Sequence, residues 1–391
     1  MANFSQNTKI FFRWWFAAFI IYLIVILLVG WHYGFAFFMP TGDDSAAFMQ
    51  TAKNLLHYGV FSIDGVMQAT EPQLPLHPTN FVTPGYVFWL ALIYAIFKSF
   101  TPAIFLGALF FALSVPLTYF LSKEIIANKK IAFGAAAIFM IEPLSLYYAG
   151  LLFSEQIFVP VFLAACLLFV RYLNYGHKKE LFISLFLFSF SMLIRPIIFY
   201  FLPFLILFVI LKNFRISKKI LLIYTLLSIF TVYSLVGAWL IRNKIVLDSW
   251  QISSNQGHTL GYHYDVLRQY LVKNRGFDPG QLNIAGPPLY GNQEYDTLMG
   301  KEATKMLWKY KWDYLKIHLG YAPLFFMSSG YDGLAGRLLD KPILNGTFRN
   351  NLALNLINGK IWEGLKVLAN APAAIYIFMA GTLMWVLVAI L

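Results

Sequence analysis

Charge is scarce in this sequence, and acidic residues are the scarcest charged groups. Only 12% of the 391 residues are charged, with 30 Lys and Arg against 18 Asp and Glu. Soluble domains carry about 25% charged residues, whereas this chain is 59% hydrophobic and has a mean hydropathy of +0.64. Aromatic residues reach 18%, which suits contact with lipid and with membrane interfaces. We therefore predict an all-α polytopic membrane protein.

Cysteine, nucleotide-binding motifs and internal repeats are also lacking. The single cysteine, Cys166, lies inside an apolar run, which excludes a disulfide framework and a cysteine metal site. No P-loop or dinucleotide fingerprint is present, and no repeat favours an inverted-repeat transporter. The net charge of +12 does not indicate nucleic acid, because the basic residues form short clusters between apolar runs. We predict no cofactor, but a requirement for a divalent metal ion stays an open alternative.

The apolar runs predict about eight membrane spans. Lys9 and Arg13 precede the first run and place the N-terminus in the cytoplasm. The predicted spans are 11–30, 103–121, 131–150, 153–172, two arms within 181–211, 219–241 and 371–391. This divides the chain into a transmembrane catalytic module over 1–241, with a first external loop at 31–102, an external region over 242–370 and a C-terminal span. Within the external region, Glu294 to His318 predicts one amphipathic helix.

The apolar run 84–100 is predicted to lie along the outer interface rather than to cross the membrane. Three basic clusters follow it, near residues 123–130, 171–179 and 212–219. All three face the cytoplasm only if this run does not cross, and the positive-inside rule favours that arrangement. Pro84 is a suitable first residue for the interfacial helix.

Arg195 and Pro196 split the apolar block 181–211 into two arms of about 15 residues. Each arm would be about 22 Å long, which is short of the apolar core of a bilayer. We therefore expect Arg195 to lie below the outer surface, where a charge is costly and indicates function. The alternative is a helix-hairpin turn whose arginine reaches the lipid headgroups.

The stretch Thr41–Gly59 follows the first span and holds the first acidic residues of the chain, Asp43 and Asp44. The residues at helical spacing behind them are Ala47, Phe48, Thr51, Ala52, Leu55 and Leu56. We predict a short amphipathic helix at the membrane surface that ends at Gly59. An aspartate before a helix often serves only as an N-cap, and that interpretation stays open, above all for Asp43.

Five short segments with potential chemistry occur in order along the outer side. They are Asp44 with Phe48, Ala52 and Gly59 behind it; Thr83-Pro84-Gly85-Tyr86; Phe153-Ser154-Glu155; Leu193-Ile194-Arg195-Pro196; and Trp239-Leu240-Ile241-Arg242-Asn243. Together they resemble membrane glycosyltransferases of the GT-C fold, in the branch of protein O-mannosyltransferases and the lipid A aminoarabinose transferase. The resemblance covers residues 10 to about 260. It departs at Val87, where a second proline is expected, and in the single span after residue 260.

The resemblance implies a GT-C-like bundle that transfers a sugar from a polyprenyl phosphate, with inversion, to a hydroxyl of a glycan, lipid or protein. The enzyme would lie among membrane lipids, in a bacterial inner membrane, with its site on the periplasmic or extracellular side. The implied site residues are Asp44 as catalytic base, Asp43 and Glu155 as supporting acids, and Arg242 and Arg195 as donor-phosphate ligands. His258, which follows Gly257 in the external region, is a further candidate for contact with the phosphate or the sugar. Glu155 could instead pair with a buried arginine, and His258 could be an ordinary loop histidine.

A transporter or flippase of lipid-linked sugars is the main alternative, and a non-catalytic assembly partner is a third. The long external region and the short cytoplasmic turns speak against transport, because they leave no inner site of matching size. A transporter would move the lipid-linked sugar unchanged, whereas a transferase would release polyprenyl phosphate.

Overall fold

The structure is a computed structural model, and every regular element that it describes is a helix. It describes residues 2–40, 44–65, 74–278, 280, 293–328, 331–338, 352, 355, 357–370, 377, 379, 382 and 383. The prediction of an all-α polytopic membrane protein is confirmed. By contacts the chain forms two compact units, Met1–Ser253 and Ser254–Leu391.

Five helices in the described ranges are long and apolar enough to cross a membrane. They are Gln6–Tyr33, Thr101–Ile126, Glu155–Tyr175, Pro196–Asn213 and Lys218–Leu247. A sixth arises if two helices joined by a 55° bend, Lys129–Ile141 and Pro143–Gly150, are counted as one span. The predicted span 371–391 falls almost wholly outside the described residues.

The first unit is built from eleven helices in the ranges described. They are α1 (Ala2–Tyr33), α2 (Asp44–Tyr58), α3 (Pro84–Phe97), α4 (Thr101–Phe111), α5 (Ser114–Ile126), α6 (Lys129–Ile141), α7 (Pro143–Gly150), α8 (Glu155–Tyr175), α9 (Lys178–Ile194), α10 (Leu202–Asn213) and α11 (Lys218–Leu247). Short 3₁₀ helices at Phe35–Phe38 and Pro196–Phe201 follow α1 and α9.

Helix α3 begins at Pro84, as predicted, and has 14 residues. Its length is about 21 Å at 1.5 Å per residue, too short for the apolar core of a bilayer. One side buries Tyr86, Val87 and Leu90, whereas Phe88 and Ile96 are exposed. These properties fit an interfacial helix, although its position in the interface stays a prediction.

The bend between α6 and α7 falls at Glu142, directly before Pro143. Proline cannot donate a backbone hydrogen bond within a helix, which breaks the α6 ladder there. The Glu142 carboxylate accepts a hydrogen bond of 2.7 Å from the Ser145 N–H and so caps α7. Glu142 therefore has a local structural role.

The block 181–211 forms two helical arms, both longer than the sequence predicts. Helix α9 has 17 residues and the second arm, Pro196–Asn213, has 18. At 1.5 Å per α-helical residue and about 2.0 Å per 3₁₀ residue, the two arms are about 26 Å and about 30 Å long. The difference arises because the helices extend through the basic flanks at Lys178 and Lys212. Arg195 lies where α9 ends, with its N–H bonded to the Ser191 carbonyl at 2.8 Å.

In the second unit, α12 (Asn255–Arg275), α13 (Gln293–Lys309) and α14 (Lys311–Ser328) pack together, and further helices lie at Tyr331–Leu338 and Ile361–Ala369. Leu267 and Leu271 of α12 share a core with Ala303 and Leu307. The buried Asp313 carboxylate forms an ion pair with Arg275 at 2.8 Å. The single helix predicted over 294–318 is interrupted at Tyr310.

Candidate functional site

Asp44 is the first residue of α2, and its side chain is exposed. Asp43 lies outside the described residues. The helix ends at Gly59, as predicted, where a φ of +70° is in the left-handed region that glycine tolerates. Most of the predicted apolar face is buried, but Leu56 is 43% exposed. The buried face also includes the polar residues Ser45 and Asn54, which the apolar pattern does not mark.

The start of α2 is bonded to the segment that leads into α8. The Ser45 hydroxyl donates a hydrogen bond of 2.9 Å to the Leu152 carbonyl, and both residues are buried. The Leu152 N–H in turn donates to the Phe38 carbonyl at 3.0 Å. These contacts fix the first turn of α2, and with it Asp44, beside the segment that ends three residues later at Glu155.

Glu155, at the start of α8, and Arg195, directly after the end of α9, form an ion pair. The pair joins Oε1 of Glu155 to Nη1 of Arg195, and the same Nη1 lies 3.4 Å from the Ser154 hydroxyl. Both side chains are partly exposed, at 39% for Arg195 and 23% for Glu155. Glu155 thus pairs with an arginine that is partly exposed rather than buried, and its role as a supporting acid stays a prediction.

The loop before α3 packs directly on the backbone beside Arg195. The Thr83 hydroxyl donates a hydrogen bond of 2.7 Å to the Ile194 carbonyl. At Gly85 a Cβ atom would lie 2.8 Å from the Leu193 carbonyl oxygen and 2.8 Å from Cγ1 of Ile194. Glycine is therefore needed at this close approach. The Thr83-Pro84-Gly85 segment thus positions the residue that carries the guanidinium.

Gln156 links α3, α7 and α8 beneath the ion pair. It is fully buried, accepts a hydrogen bond of 3.1 Å from the Tyr86 hydroxyl and donates one of 2.9 Å to the Ala149 carbonyl. Burial, and secondly the charge of Glu155, raises the pKa of Tyr86 well above its ordinary value, so the phenol stays protonated and donates. The Tyr86 ring packs edge-on against Phe48 of α2, at 5.1 Å between centroids.

Sequence reasoning overlooked Gln156 and Ser45, although both carry a usable signal. Gln156 is a polar residue that follows Glu155 within an apolar helix, and such a group must find partners when buried. Ser45 directly follows Asp44 and was passed over as part of the helix start. Neither partner, Leu152 nor Tyr86, could be identified from spacing along the chain.

Arg242 lies in the last turns of α11 and holds the same loop at its other end. Its Nη1 donates to the Thr79 carbonyl at 2.9 Å and to the Asn243 side-chain oxygen at 3.0 Å. The guanidinium carbon lies 4.8 Å from the ring centroid of Trp239, a distance at which cation and ring attract. Arg242 therefore holds the loop in place through these hydrogen bonds, and its positive charge is partly exposed.

Polar side chains around Arg242 also fix the segment that follows α11. Asn243 donates to the Gln251 carbonyl at 2.8 Å, and the Trp239 indole N–H donates to the Ile252 carbonyl at 2.9 Å. The Ser253 hydroxyl donates to the Phe81 carbonyl at 2.6 Å. The loop over residues 79–83 is thus held by Arg242 at one end and contacts Ile194 at the other.

The structure therefore brings four of the five sequence segments into one connected cluster around Glu155, Arg195 and the loop 79–83. The fifth, at the start of α2, joins it through the Ser45 and Phe48 contacts. His258 lies in the first turn of α12 in the second unit, and the structure does not describe its side chain. In the part of the chain that the structure describes, no group of three or more His, Cys, Asp or Glu side chains could hold a metal ion.

Chemically, the cluster contains an exposed carboxylate at the start of α2 and two arginines, one directly after α9 and one in the last turns of α11. Among described contacts, Arg195 uses only Nη1 for hydrogen bonds, so its other N–H groups can meet a ligand. Arginine is suited to phosphate because its planar fork can donate two parallel hydrogen bonds. An exposed carboxylate can accept a proton from a hydroxyl at hydrogen-bond distance.

The family model of the dolichyl-phosphate-mannose-protein mannosyltransferases matches residues 77–239. The matched stretch includes Tyr86, Glu155 and Arg195, whereas Asp44 precedes it and Arg242 follows it. The match spans less than half of the chain. It supports a membrane glycosyltransferase of the GT-C class. No curated protein and no solved structure matches the chain.

Proposed function

We propose that this protein is an inverting glycosyltransferase that moves a hexosyl or pentosyl group from a polyprenyl phosphate to an acceptor hydroxyl. The observation that carries this proposal is the bond from Ser45 to Leu152, which fixes the acidic start of α2 beside the segment leading to the Glu155–Arg195 pair. The family match over residues 77–239 independently favours a lipid-linked sugar as donor.

In this proposal Asp44 is the general base. Its carboxylate takes the proton of the acceptor hydroxyl while the oxygen attacks the anomeric carbon of the sugar. The bond from that carbon to the phosphate oxygen breaks, and polyprenyl phosphate leaves with the electron pair. Because a phosphate monoester is a good leaving group, no second carboxylic acid is required, unlike in glycoside hydrolysis.

Negative charge develops on the phosphate as it leaves, and positively charged side chains are needed to stabilise it. Arg242 and Arg195 are the candidates. Arg242 is clamped to Thr79 and stacked on Trp239, so it is pre-organised. Arg195 is held by Glu155, which orients it and lowers the net charge of the pair. His258 could contact the sugar or the phosphate, and Asp43 could cap α2 beside the base.

The acceptor would be a glycan, a lipid or a protein, and the site would face the periplasm or exterior of a bacterial inner membrane. The donor would reach the site from the surrounding lipid. A divalent metal requirement is a separate question that metal addition to a chelated enzyme answers.

The test replaces Asp44 by asparagine in the purified enzyme. Asparagine has nearly the same size and caps a helix about as well as aspartate, but its amide cannot accept the hydroxyl proton. We expect release of polyprenyl phosphate to fall by about 10²- to 10⁴-fold, the typical contribution of a general base. Binding of the polyprenyl-linked sugar, measured with radiolabelled donor, should persist.

Asp43→Asn is the matched control, because it makes the same charge change one residue away and should leave most of the activity. Near-normal turnover of Asp44→Asn would show that this residue is not the base. Movement of intact lipid-linked sugar across proteoliposomes, without release of polyprenyl phosphate by the wild-type protein, would favour a transporter instead.

A further inference from the structure

The surface of α14 that faces away from the core of its unit carries an exposed tryptophan and two exposed leucines. Trp312, Leu315 and Leu319 follow one another at i, i+3 and i+7 and therefore share one face of the helix. They are 68%, 47% and 64% exposed. The opposite face is buried through Asp313 and Ile317. One face of α14 therefore packs in the core of the unit with both polar and apolar side chains, whereas the other face is apolar and exposed.

Trp308 extends this exposed face across the junction of α13 and α14. It is 69% exposed. The Tyr310 N–H bonds the Met306 carbonyl and the Tyr314 N–H bonds the Tyr310 carbonyl, so α13 and α14 meet at Tyr310. The Lys311 ammonium lies 5.9 Å from the ring centroid of Trp308 and 5.8 Å from that of Trp312. We call Trp308, Trp312, Leu315 and Leu319 the Trp/Leu stripe.

Lysines surround the Trp/Leu stripe. Residues 301–316 contain five lysines, namely Lys301, Lys305, Lys309, Lys311 and Lys316, and all are exposed. The same stretch has two acids, of which Asp313 is buried in the pair with Arg275. The other, Glu302, lies 4.0 Å from Lys305. The surface around the stripe is therefore positively charged.

We propose that the Trp/Leu stripe lies in the surface of an anionic lipid bilayer. Tryptophan prefers the interface between lipid and water, and lysines beside it attract anionic headgroups. Helix α14 is not among the described helices that are apolar enough to cross a membrane, so an in-plane position is the one that its pattern fits. The proposal is independent of the reaction proposed above.

The chain itself brings a bilayer within reach of this unit. Span α11 ends at Leu247, and α12 begins at Asn255 after a connection of seven residues. A tether raises the effective concentration of the membrane for any weakly lipid-binding surface on the unit. A modest intrinsic affinity of the stripe is therefore sufficient. A soluble protein partner would lack this advantage.

The test uses the full-length protein in nanodiscs with site-directed nitroxide labels. Cys166, the only native cysteine, is replaced by serine, and single cysteines are introduced as Leu315→Cys, Leu319→Cys and, as control, Gln269→Cys. Gln269 is exposed and lies on α12, not on the two helices that carry the stripe. Collision of each label with oxygen and with a water-soluble nickel chelate is measured by electron paramagnetic resonance.

In nanodiscs of phosphatidylglycerol and phosphatidylcholine, we expect labels at 315 and 319 to collide with oxygen severalfold more, relative to the nickel chelate, than the label at 269. The difference should shrink in pure phosphatidylcholine and in the Lys309→Gln, Lys311→Gln, Lys316→Gln background. High nickel collision at 315 and 319 would show that they face water and would overturn the proposal. Low collision with both probes would show that other parts of the protein bury these positions, and this result would also overturn the proposal. An equal signal in both lipids would overturn the role of anionic headgroups.

Discussion

Ser45 and Leu152 are 107 positions apart in the chain, yet the Ser45 hydroxyl donates a 2.9 Å hydrogen bond to the Leu152 carbonyl. This contact ties the helix that begins with Asp44 to the segment before Glu155. A carboxylate at the start of one helix is thereby held near an ion pair that joins two others. The arrangement depends on a hydroxyl that is fully buried.

Ser45→Ala should therefore reduce both stability and turnover. It leaves a buried carbonyl without this donor, which costs about 1–3 kcal/mol, and it frees the first turn of α2. We expect a lower melting temperature and a larger fall in kcat than in donor affinity. Thr51→Val is the matched control, because the Thr51 hydroxyl bonds only the Ala47 carbonyl within α2 among its described contacts. Equal turnover of the two variants would argue against a positioning role for Ser45.

Gly85→Ala should destabilise the protein and lower activity. Its Cβ would come within 2.8 Å of the Leu193 carbonyl and of Ile194, so α3 or the backbone beside Arg195 must shift. Overpacking of this kind costs about 1–3 kcal/mol.

Gly237→Ala in α11 is the control, since no atom lies within 4 Å of a Cβ there. It should be neutral or more stable by about 0.5–1 kcal/mol, because alanine favours helix over glycine. Thermal unfolding in detergent measures both.

Arg242→Ala should weaken use of the donor more than Arg242→Lys does. Both variants lose the planar fork, but lysine keeps a positive charge that can reach the Thr79 carbonyl or a phosphate. We expect the donor KM of the alanine variant to rise by about ten- to hundredfold, the equivalent of one charged hydrogen bond.

Lys244→Ala is the charge-matched control for Arg242, because it removes a cation two residues away that pairs with the exposed Asp248. Its KM should stay close to that of the unchanged enzyme. If alanine, lysine and arginine at position 242 gave the same KM, the proposed contact with the donor phosphate would be wrong, and the loop clamp would be its whole role.

Acidification should loosen the packing of α12 on α14. Burial, and secondly the neighbouring His318, lowers the pKa of His263 from its ordinary value. The unfolded chain therefore binds more protons than the folded one near pH 6, so the contribution to stability is complete above about pH 6.5 and is lost as pH falls below it. The melting temperature should drop between about pH 7.5 and pH 5. His263→Gln should flatten this dependence, whereas the exposed His57→Gln should not.

Helix positions and the order of the polar segments could be predicted from the sequence. Pro84 begins α3 and Gly59 ends α2 as expected, because both signals act through the backbone of their own residues. Arg195 ends α9 where Pro196 interrupts the ladder. The sequence underestimates the length of the two arms, because lysine is a good helix former but lowers hydropathy, so the apolar run ends before the helix does.

The sequence alone thus determined the membrane class, the helices and the residue types that could bind a lipid phosphate, because apolar run length and proline or glycine positions act locally. Only the tertiary structure decided that Glu155 pairs with Arg195, that Ser45 bonds Leu152 and that Arg242 clamps Thr79. Each of these contacts joins residues 40 to 163 positions apart. Spacing along the chain carries no information about such pairs, since they form only when separate helices pack.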